Sequence, residues 1–233
     1  MDQQPTNNTA PVVAKPPNNA APAAAKLPKI TDWPGAWGIY KYSKAAIMCN
    51  MNTYVVLLVI SALINALTNM LGGSKPSAML FIASTFSILL GTIISIAVIV
   101  VYLAGINNKK VSVSEALNGI SKYIVNYVIA AIIVGVAALA SLLLFIIPAF
   151  FVIPRLIFAP YLVIDKNMGG VDAVQASWNM SKGHVGKVYG IFGATLAMSL
   201  LAITIIGIPF AIYFIVMYSA ATAVLYNYVA NKK

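Results

Sequence analysis

Residues 188–231, VYGIFGATLAMSLLAITIIGIPFAIYFIVMYSAATAVLYNYVAN, form 44 consecutive positions without a charged side chain. The stretch is interrupted near its middle by Gly207 and Pro209. The hydrocarbon core of a bilayer needs about 20 apolar residues for each spanning helix. The length of the stretch and its central break therefore predict two membrane spans joined by a turn.

Three further uncharged runs lie upstream, at 45–74, 76–108 and 123–154. The whole chain is 61% hydrophobic and only 9% charged, whereas about a quarter of the residues of a soluble domain are charged. We predict an all-α integral membrane protein with a multi-pass membrane domain over 36–233. The predicted spans are about 52–71, 78–104, 124–147, 149–165, 188–207 and 209–230. The fourth is the shortest and contains Pro154, Arg155 and Pro160.

Residues 1–35 have a different composition, rich in Pro, Asn and Ala and poor in large apolar side chains. Such a segment cannot bury enough apolar surface to offset the entropy of ordering it. We predict that it is a disordered cytoplasmic tail.

The net charge of +10 comes from lysines that flank the apolar runs. A nucleic-acid partner would require basic residues clustered on one folded face, so we do not expect one. If the N-terminus is cytoplasmic, 13 lysines fall on the cytoplasmic side, and the other side has only Lys75, with Arg155 at or within the membrane. This asymmetry predicts that both termini face the cytoplasm.

Similar segments precede the first, third and fifth spans, and they indicate an internal repeat. The segments are Ile39–Lys44, Ser114–Gly119 and Val171–Ser177. We predict three units, each with one interfacial helix and one helical hairpin; the alternative is that these segments are ordinary solvent loops. Ser112 and Glu115 have the spacing of a capping box, so the helix before the third span should begin at about residue 113.

The segment before the fifth span has two stripes at helical spacing. Val171, Val174, Trp178 and Val185 form an apolar stripe, beside a polar stripe of Asp172, Gln175, Asn179 and Lys182. This arrangement predicts a helix that lies in the plane of the lipid headgroups. Across the interfacial helices, the candidate polar face consists of Glu115, Asp172, Gln175 and Lys182.

Arg155 is the candidate site for an anion or a lipid headgroup. Counted back from Asp165, a helix places it about 15 Å deep, and a buried arginine usually has a partner. Freed backbone carbonyls, polar side chains such as Asn65, Asn69, Thr195 or Ser199, or an external anion could supply that partner. Two interpretations stay open: a site for a lipid phosphate, which a guanidinium binds bidentately, or an anchor that reaches the headgroups.

Catalytic and metal-binding patterns are missing from the sequence. His184 is the single histidine, Glu115 the single glutamate and Cys49 the single cysteine. Metal sites and acid-base relays need several converging groups. Asp165, Asp172 and His184 follow no known catalytic spacing. We therefore expect no metal, no cofactor and no enzymatic activity.

The chain resembles a known family over about residues 38–230, most clearly over 145–190. Its motifs are Ile147-Pro148, Arg155-Leu156, Tyr161–Asp165, Val171–Trp178 and Ser181–His184. They are similar to those of the six-span bacterial membrane proteins related to the membrane domain of glycerophosphoryl diester phosphodiesterase, a group that includes the YciC-like proteins. The resemblance implies a prokaryotic plasma (inner) membrane location. It implies no catalytic residues, because in the membrane-anchored phosphodiesterases hydrolysis belongs to a separate soluble domain.

The sequence thus leads to three hypotheses about function. The first is a non-enzymatic membrane protein that binds membrane lipids, including anionic ones, or a protein partner or a second copy of itself. The second is a transporter or channel component for a small or anionic solute. The third, a lipid-modifying enzyme, would require Asp165, Asp172 and His184 to converge.

Overall fold

In a computed structural model, the structure describes residues 30, 32–72, 78–144, 146–203 and 207–231. All regular secondary structure in this part of the chain is helical. The helices are α1 Gly35–Cys49, α2 Met51–Gly72, α3 Ala78–Ile106, α4 Val113–Asn118, α5 Ile120–Leu143, α6 Ile146–Leu156, α7 Ala159–Lys166, α8 Gly170–Met180, α9 Val185–Leu200, α10 Gly207–Tyr218 and α11 Ala221–Ala230. The predicted tail, 1–35, lies almost entirely outside the described residues.

The described residues contain six segments long and apolar enough to cross a membrane. They are Met51–Met70, Phe81–Ile106, Ile120–Leu143, Pro148–Lys166, Val185–Ile203 and Gly207–Ala230. The prediction of an all-α, multi-pass membrane protein is confirmed. The third and fifth spans begin a few residues earlier than predicted, because each follows its preceding short helix after a brief break.

The second helix of each hairpin lies nearer the centre of the bundle than the first. The buried share is 33, 50 and 44% for the second, fourth and sixth spans, against 17, 11 and 22% for the first, third and fifth. The central helix α3 packs against both α7 and α11. The outer helices expose large apolar side chains, among them Leu63 and Ile132, as expected for surfaces that face lipid.

A short helix precedes each hairpin, as the repeat predicts. The three are α1, α4 and α8, and they differ in length. Helix α4 has six residues and continues after Gly119 into α5. Its start at Val113 is confirmed: the Ser112 hydroxyl accepts from the Glu115 amide, and the Glu115 carboxylate accepts from the Ser112 amide at 2.8 Å.

Spans four and six are each broken into two helices. In span four the break lies between Leu156 and Ala159, where Pro160 has no amide hydrogen for the Leu156 carbonyl. In span six it lies at Ser219 and Ala220, without a proline. A break in lipid needs new partners for the freed backbone groups, and serines of the short helices supply them.

The two capping serines are Ser177 of α8 and Ser43 of α1. The buried Ser177 hydroxyl donates to the Arg155 carbonyl at 2.8 Å and accepts from the Phe158 amide at 3.2 Å. The Ser43 hydroxyl donates to the Met217 carbonyl at 2.7 Å. At each break, the short helix packed beside the span therefore supplies a hydrogen-bond partner for the freed backbone carbonyl.

Buried tyrosines connect the central helices. The Tyr226 ring of α11 stacks on Tyr161 of α7, with 5.5 Å between centroids. The Tyr102 hydroxyl donates to the Tyr54 hydroxyl at 3.3 Å, and that hydroxyl lies 2.8 Å from the Ser219 oxygen. These tyrosine and serine hydroxyls are thus paired with one another, which a water-free interior favours.

Candidate headgroup-binding site

Arg155 lies in the last turn of α6, directly before the break in span four. Its guanidinium carbon is 4.7 Å from the centroid of the Trp178 ring of α8. The aromatic face attracts the cation and restricts its plane. Because Ser177 bonds the Arg155 carbonyl, adjacent residues of α8 hold both the backbone and the side chain of this arginine.

The Arg155 side chain has unused binding capacity. Its Nε atom is buried and has no hydrogen-bond partner among the described residues. The one ion pair closer than 4 Å in the described part of the chain joins Lys166 to Asp165, so no carboxylate neutralises Arg155. A buried donor without a partner costs about 1–3 kcal/mol, and an anionic ligand would remove that cost.

The side-chain partners that the sequence suggested for Arg155 are wrong. Asn65 and Asn69 donate to carbonyls one turn earlier in their own helix, and Thr195 and Ser199 do the same. The Trp178 ring was not among the predicted partners.

An open groove of about 590 Å³ lies next to the ring of Trp178, which contacts the Arg155 guanidinium; Arg155 itself does not line it. It is lined by Ile133, Leu156, Val171, Val174, Gln175, Trp178, Asn179 and Lys182. The polar side chains come from the second half of α8 and the turn that follows it, where the Lys182 ammonium donates to the Asn179 amide oxygen at 2.9 Å. The groove therefore combines cationic and amide groups with an apolar wall.

The face of α8 that packs against the bundle is not the apolar stripe of valines that the sequence singled out. The buried face consists of Gly170, Ala173, Ser177 and Ser181, and a Cβ added to Gly170 would lie 2.7 Å from the Asn126 carbonyl oxygen of α5. Of the apolar stripe, Val171 is 62% exposed, whereas Val174 is partly buried and packs against the core. Small residues thus make the closest contacts of α8 with the bundle, while Val171 and the polar side chains are exposed.

The predicted polar-face residues do not all meet at one place. Gln175 and Lys182 line the groove with Trp178. Asp172 is exposed in the first turn of α8 and does not line it. Glu115 belongs to the separate capping box of α4, where hydrogen bonding from Ser112 lowers the pKa of its carboxyl.

The residues of the enzymatic hypothesis have separate partners. Asp165 accepts a hydrogen bond from the Tyr226 hydroxyl at 2.7 Å. A ring nitrogen of His184 lies 3.1 Å from the Lys182 carbonyl oxygen, and its ring contacts Tyr228. Among the described residues, no three His, Cys, Asp or Glu side chains are grouped so that they could hold a metal.

The contact between Arg155 and α8 bears on two predictions, that Arg155 lies about 15 Å deep and that α8 lies in the plane of the headgroups; the two cannot both hold. Ser177, Trp178 and Ser181 of α8 all contact Arg155. Helix α8 therefore cannot lie in the headgroup plane while Arg155 lies about 15 Å below it. Trp178 of this helix contacts the Arg155 guanidinium, so Arg155 lies near the level of α8.

The fold and the groove define the class of the protein: an all-α, multi-pass membrane protein with six spanning segments. Comparisons of the chain with protein-family models, with curated proteins and with solved structures find no match.

Proposed function

We propose that this protein is a non-enzymatic protein of a prokaryotic inner membrane that binds the headgroup of an anionic lipid in the groove beside α8. The observation that carries the proposal is the Arg155 guanidinium, which no carboxylate neutralises in the described part of the chain and which stacks on the Trp178 ring that lines the groove. The topology that fits best has both termini in the cytoplasm. The cytoplasmic leaflet then supplies the anionic lipid to the side of the bundle that has most of the lysines.

The chemistry of the groove suits a phosphate ester. A guanidinium binds two phosphate oxygens at once, and Trp178 restricts the plane in which Arg155 presents its donors. Lys182 adds a second positive charge, and Gln175 adds amide donors. No carboxylate lines this groove to repel an anion.

The apolar wall suits the acyl chains of the same lipid. Ile133 and Leu156 line the groove, and Ile132 and Phe151 on the adjoining outer helices are 59% exposed. A chain leaving the groove would remain on apolar surface in the membrane. A free phosphate has no such chain, so the groove favours a lipid over a soluble anion.

Native mass spectrometry of the protein released from lipid bilayers would test the proposal. The wild type should retain an anionic phospholipid, and Arg155→Gln should lose it. Arg155→Lys should show intermediate retention, because an ammonium cannot bind bidentately. Lys122→Gln is the matched control: it removes an exposed lysine of α5 that does not line the groove.

Equal retention by the wild type and Arg155→Gln would refute the lipid site. If a protein partner or a second copy of the chain were retained in its place, the function would be one of protein interaction. The proposed relation to the six-span proteins named above rests on the motifs of 145–190 and does not depend on this result.

Transport of an anionic solute is the second candidate. The observation in its favour is that spans four and six are broken, as in many secondary transporters. Against it, Ser177 and Ser43 already bind backbone groups at the breaks. Flux into proteoliposomes that falls on Arg155→Ala would favour transport, whereas flux equal to that of empty liposomes would exclude it.

A further inference from the structure

A second pair of a cation and an aromatic ring lies where α1 packs against α10. The Lys44 ammonium of α1 is 5.7 Å from the centroid of the Tyr213 ring of α10. Tyr40, one turn earlier in α1, packs against Phe214 with 5.7 Å between ring centroids. The Tyr213 side chain is 43% exposed, so the cluster borders the surface of the bundle.

This cluster and the Arg155 site share the same local plan. In each, a serine of a short helix donates to a carbonyl just before the break in the adjoining span: Ser177 to Arg155, and Ser43 to Met217. In each, the residue after that serine belongs to a cation–aromatic pair. The short helix supplies a different member of the pair at each site: α8 contributes the ring of Trp178, whereas α1 contributes the cation of Lys44.

The charge of this second cluster is also uncompensated. No carboxylate lies within 4 Å of the Lys44 ammonium in the described part of the chain. A hydrogen bond with Tyr213 raises the pKa of Lys44, so the lysine is cationic at neutral pH. Burial raises the pKa of Tyr40, so its phenol remains protonated and can donate a hydrogen bond.

We propose that Lys44, Tyr213 and Tyr40 form a second binding site for an anionic lipid headgroup, related to the Arg155 site by the internal repeat. The Lys44 ammonium contacts the phosphate, and the phenol hydroxyls donate to its oxygens. Phe210 and Ile212 of α10, 59 and 58% exposed, provide the apolar surface for the acyl chains. The protein thus holds two anionic lipids, one beside each broken span.

The number of retained anionic phospholipids tests this proposal separately from the first site. Native mass spectrometry of protein in bilayers that contain phosphatidylglycerol should show two tightly held molecules on the wild type. Lys44→Gln and Arg155→Gln should each hold one, and the double variant none.

Two further variants separate binding from folding. Lys41→Gln removes an exposed lysine of the same helix, outside the cluster, and should retain both lipids. Tyr213→Phe keeps the ring and removes the hydroxyl, so it should weaken the second site while the thermal unfolding of the bundle is unchanged.

Each outcome decides between the two sites. If Lys44→Gln keeps both lipids while Arg155→Gln loses one, the second site is refuted and the first stands. If neither variant loses a lipid, both are refuted. If Lys41→Gln loses a lipid as readily as Lys44→Gln, retention reflects general surface charge, and the second site is again refuted.

Discussion

The contact between Gly105 of α3 and Ala46 of α1 predicts a substitution whose cost has a steric origin. A Cβ added to Gly105 would lie 2.1 Å from the Ala46 carbonyl oxygen and 2.9 Å from the carbonyl carbon. Ordinary contacts of a Cβ begin at 3.4 Å. Because the obstacle is backbone, no rotamer change relieves it, and α1 would have to move away from α3 by about 1 Å.

The expected magnitude follows from two opposing contributions. Overpacking of this kind costs about 1–3 kcal/mol. Replacing glycine by alanine within a helix stabilises the helix by up to about 1 kcal/mol. Because the clash is with backbone at 2.1 Å, the cost should lie in the upper part of its range, about 2–3 kcal/mol, and we expect Gly105→Ala to lower the free energy of unfolding by about 1–2 kcal/mol.

Gly135→Ala provides the matched control. Gly135 lies within α5, and an added Cβ there would meet no atom within 4 Å. The helix-propensity gain is then unopposed, so this variant should be neutral or more stable than the wild type. The difference between the two variants isolates the overpacking cost.

The assay is equilibrium unfolding of bicelle-reconstituted protein by sodium dodecyl sulfate, followed by circular dichroism. We predict that Gly105→Ala lowers the free energy of unfolding and that Gly135→Ala leaves it unchanged or raises it. Equal effects, or stabilisation by Gly105→Ala, would show that α1 does not approach α3 this closely and would refute the packing described here.

Three other substitutions test separate contacts. Ser177→Ala leaves the buried Phe158 amide without its partner. It should lower the free energy of unfolding by about 1–3 kcal/mol in the same assay. The control Ser199→Ala loses only a hydrogen bond within its own helix and should change the free energy of unfolding little. Asn50→Ala removes the amide that bonds both the Lys109 carbonyl and the Val111 amide, so hydrogen exchange of the Val111 amide should accelerate. Ser112→Ala removes the hydroxyl but keeps the backbone amide that makes the larger contribution, so it should raise the lowered carboxyl pKa of Glu115 only part of the way towards its ordinary value, as measured by NMR titration.

The sign of the Glu115 effect follows from the direction of its pKa shift. The folded-state pKa lies below the unfolded value, so the capping box contributes stability above the unfolded pKa. That contribution is lost as the pH falls through the folded pKa. Acidification should therefore fray the start of α4, and Ser112→Ala should reduce this pH dependence without removing it, because the backbone amide of residue 112 still donates to the Glu115 carboxylate.

Most of the spans could be predicted because they lie in long uncharged runs; the fourth, which contains Arg155, was predicted from its apolar composition. Their number and type follow from the length of apolar chain needed to cross a bilayer. The start of α4 was equally predictable, because its capping box is a local pattern of Ser112 and Glu115. Such features depend on a few neighbouring residues or on overall hydropathy.

The packing of α8 was less predictable because its buried face consists of small residues and not of large apolar ones. Hydrophobic periodicity drew attention to Val171 and Val174, yet Ala173 and Ser177 are the buried residues. In lipid, apolar side chains gain little from leaving the solvent, so small residues that allow close approach form the interface. A periodicity of small residues is the signal that would have identified this face.

The surroundings of Arg155 required the three-dimensional structure. Sequence counting gave a depth along one straight helix, but the break in span four and the return of α8 bring Trp178 onto the guanidinium. The partner lies 23 positions further along the chain, and no local pattern connects the two. The same holds for Lys44 and Tyr213, which belong to the first and last units.

The most direct test of the Arg155 site is the fluorescence of Trp178 in bilayers that contain brominated lipids. Trp33→Phe and Trp37→Phe would leave Trp178 as the single tryptophan. Brominated phosphatidylglycerol should quench its emission more strongly than brominated phosphatidylcholine at equal mole fraction, and Arg155→Gln should remove this preference. Equal quenching by the two lipids in the protein that retains Arg155 would contradict a headgroup site beside α8.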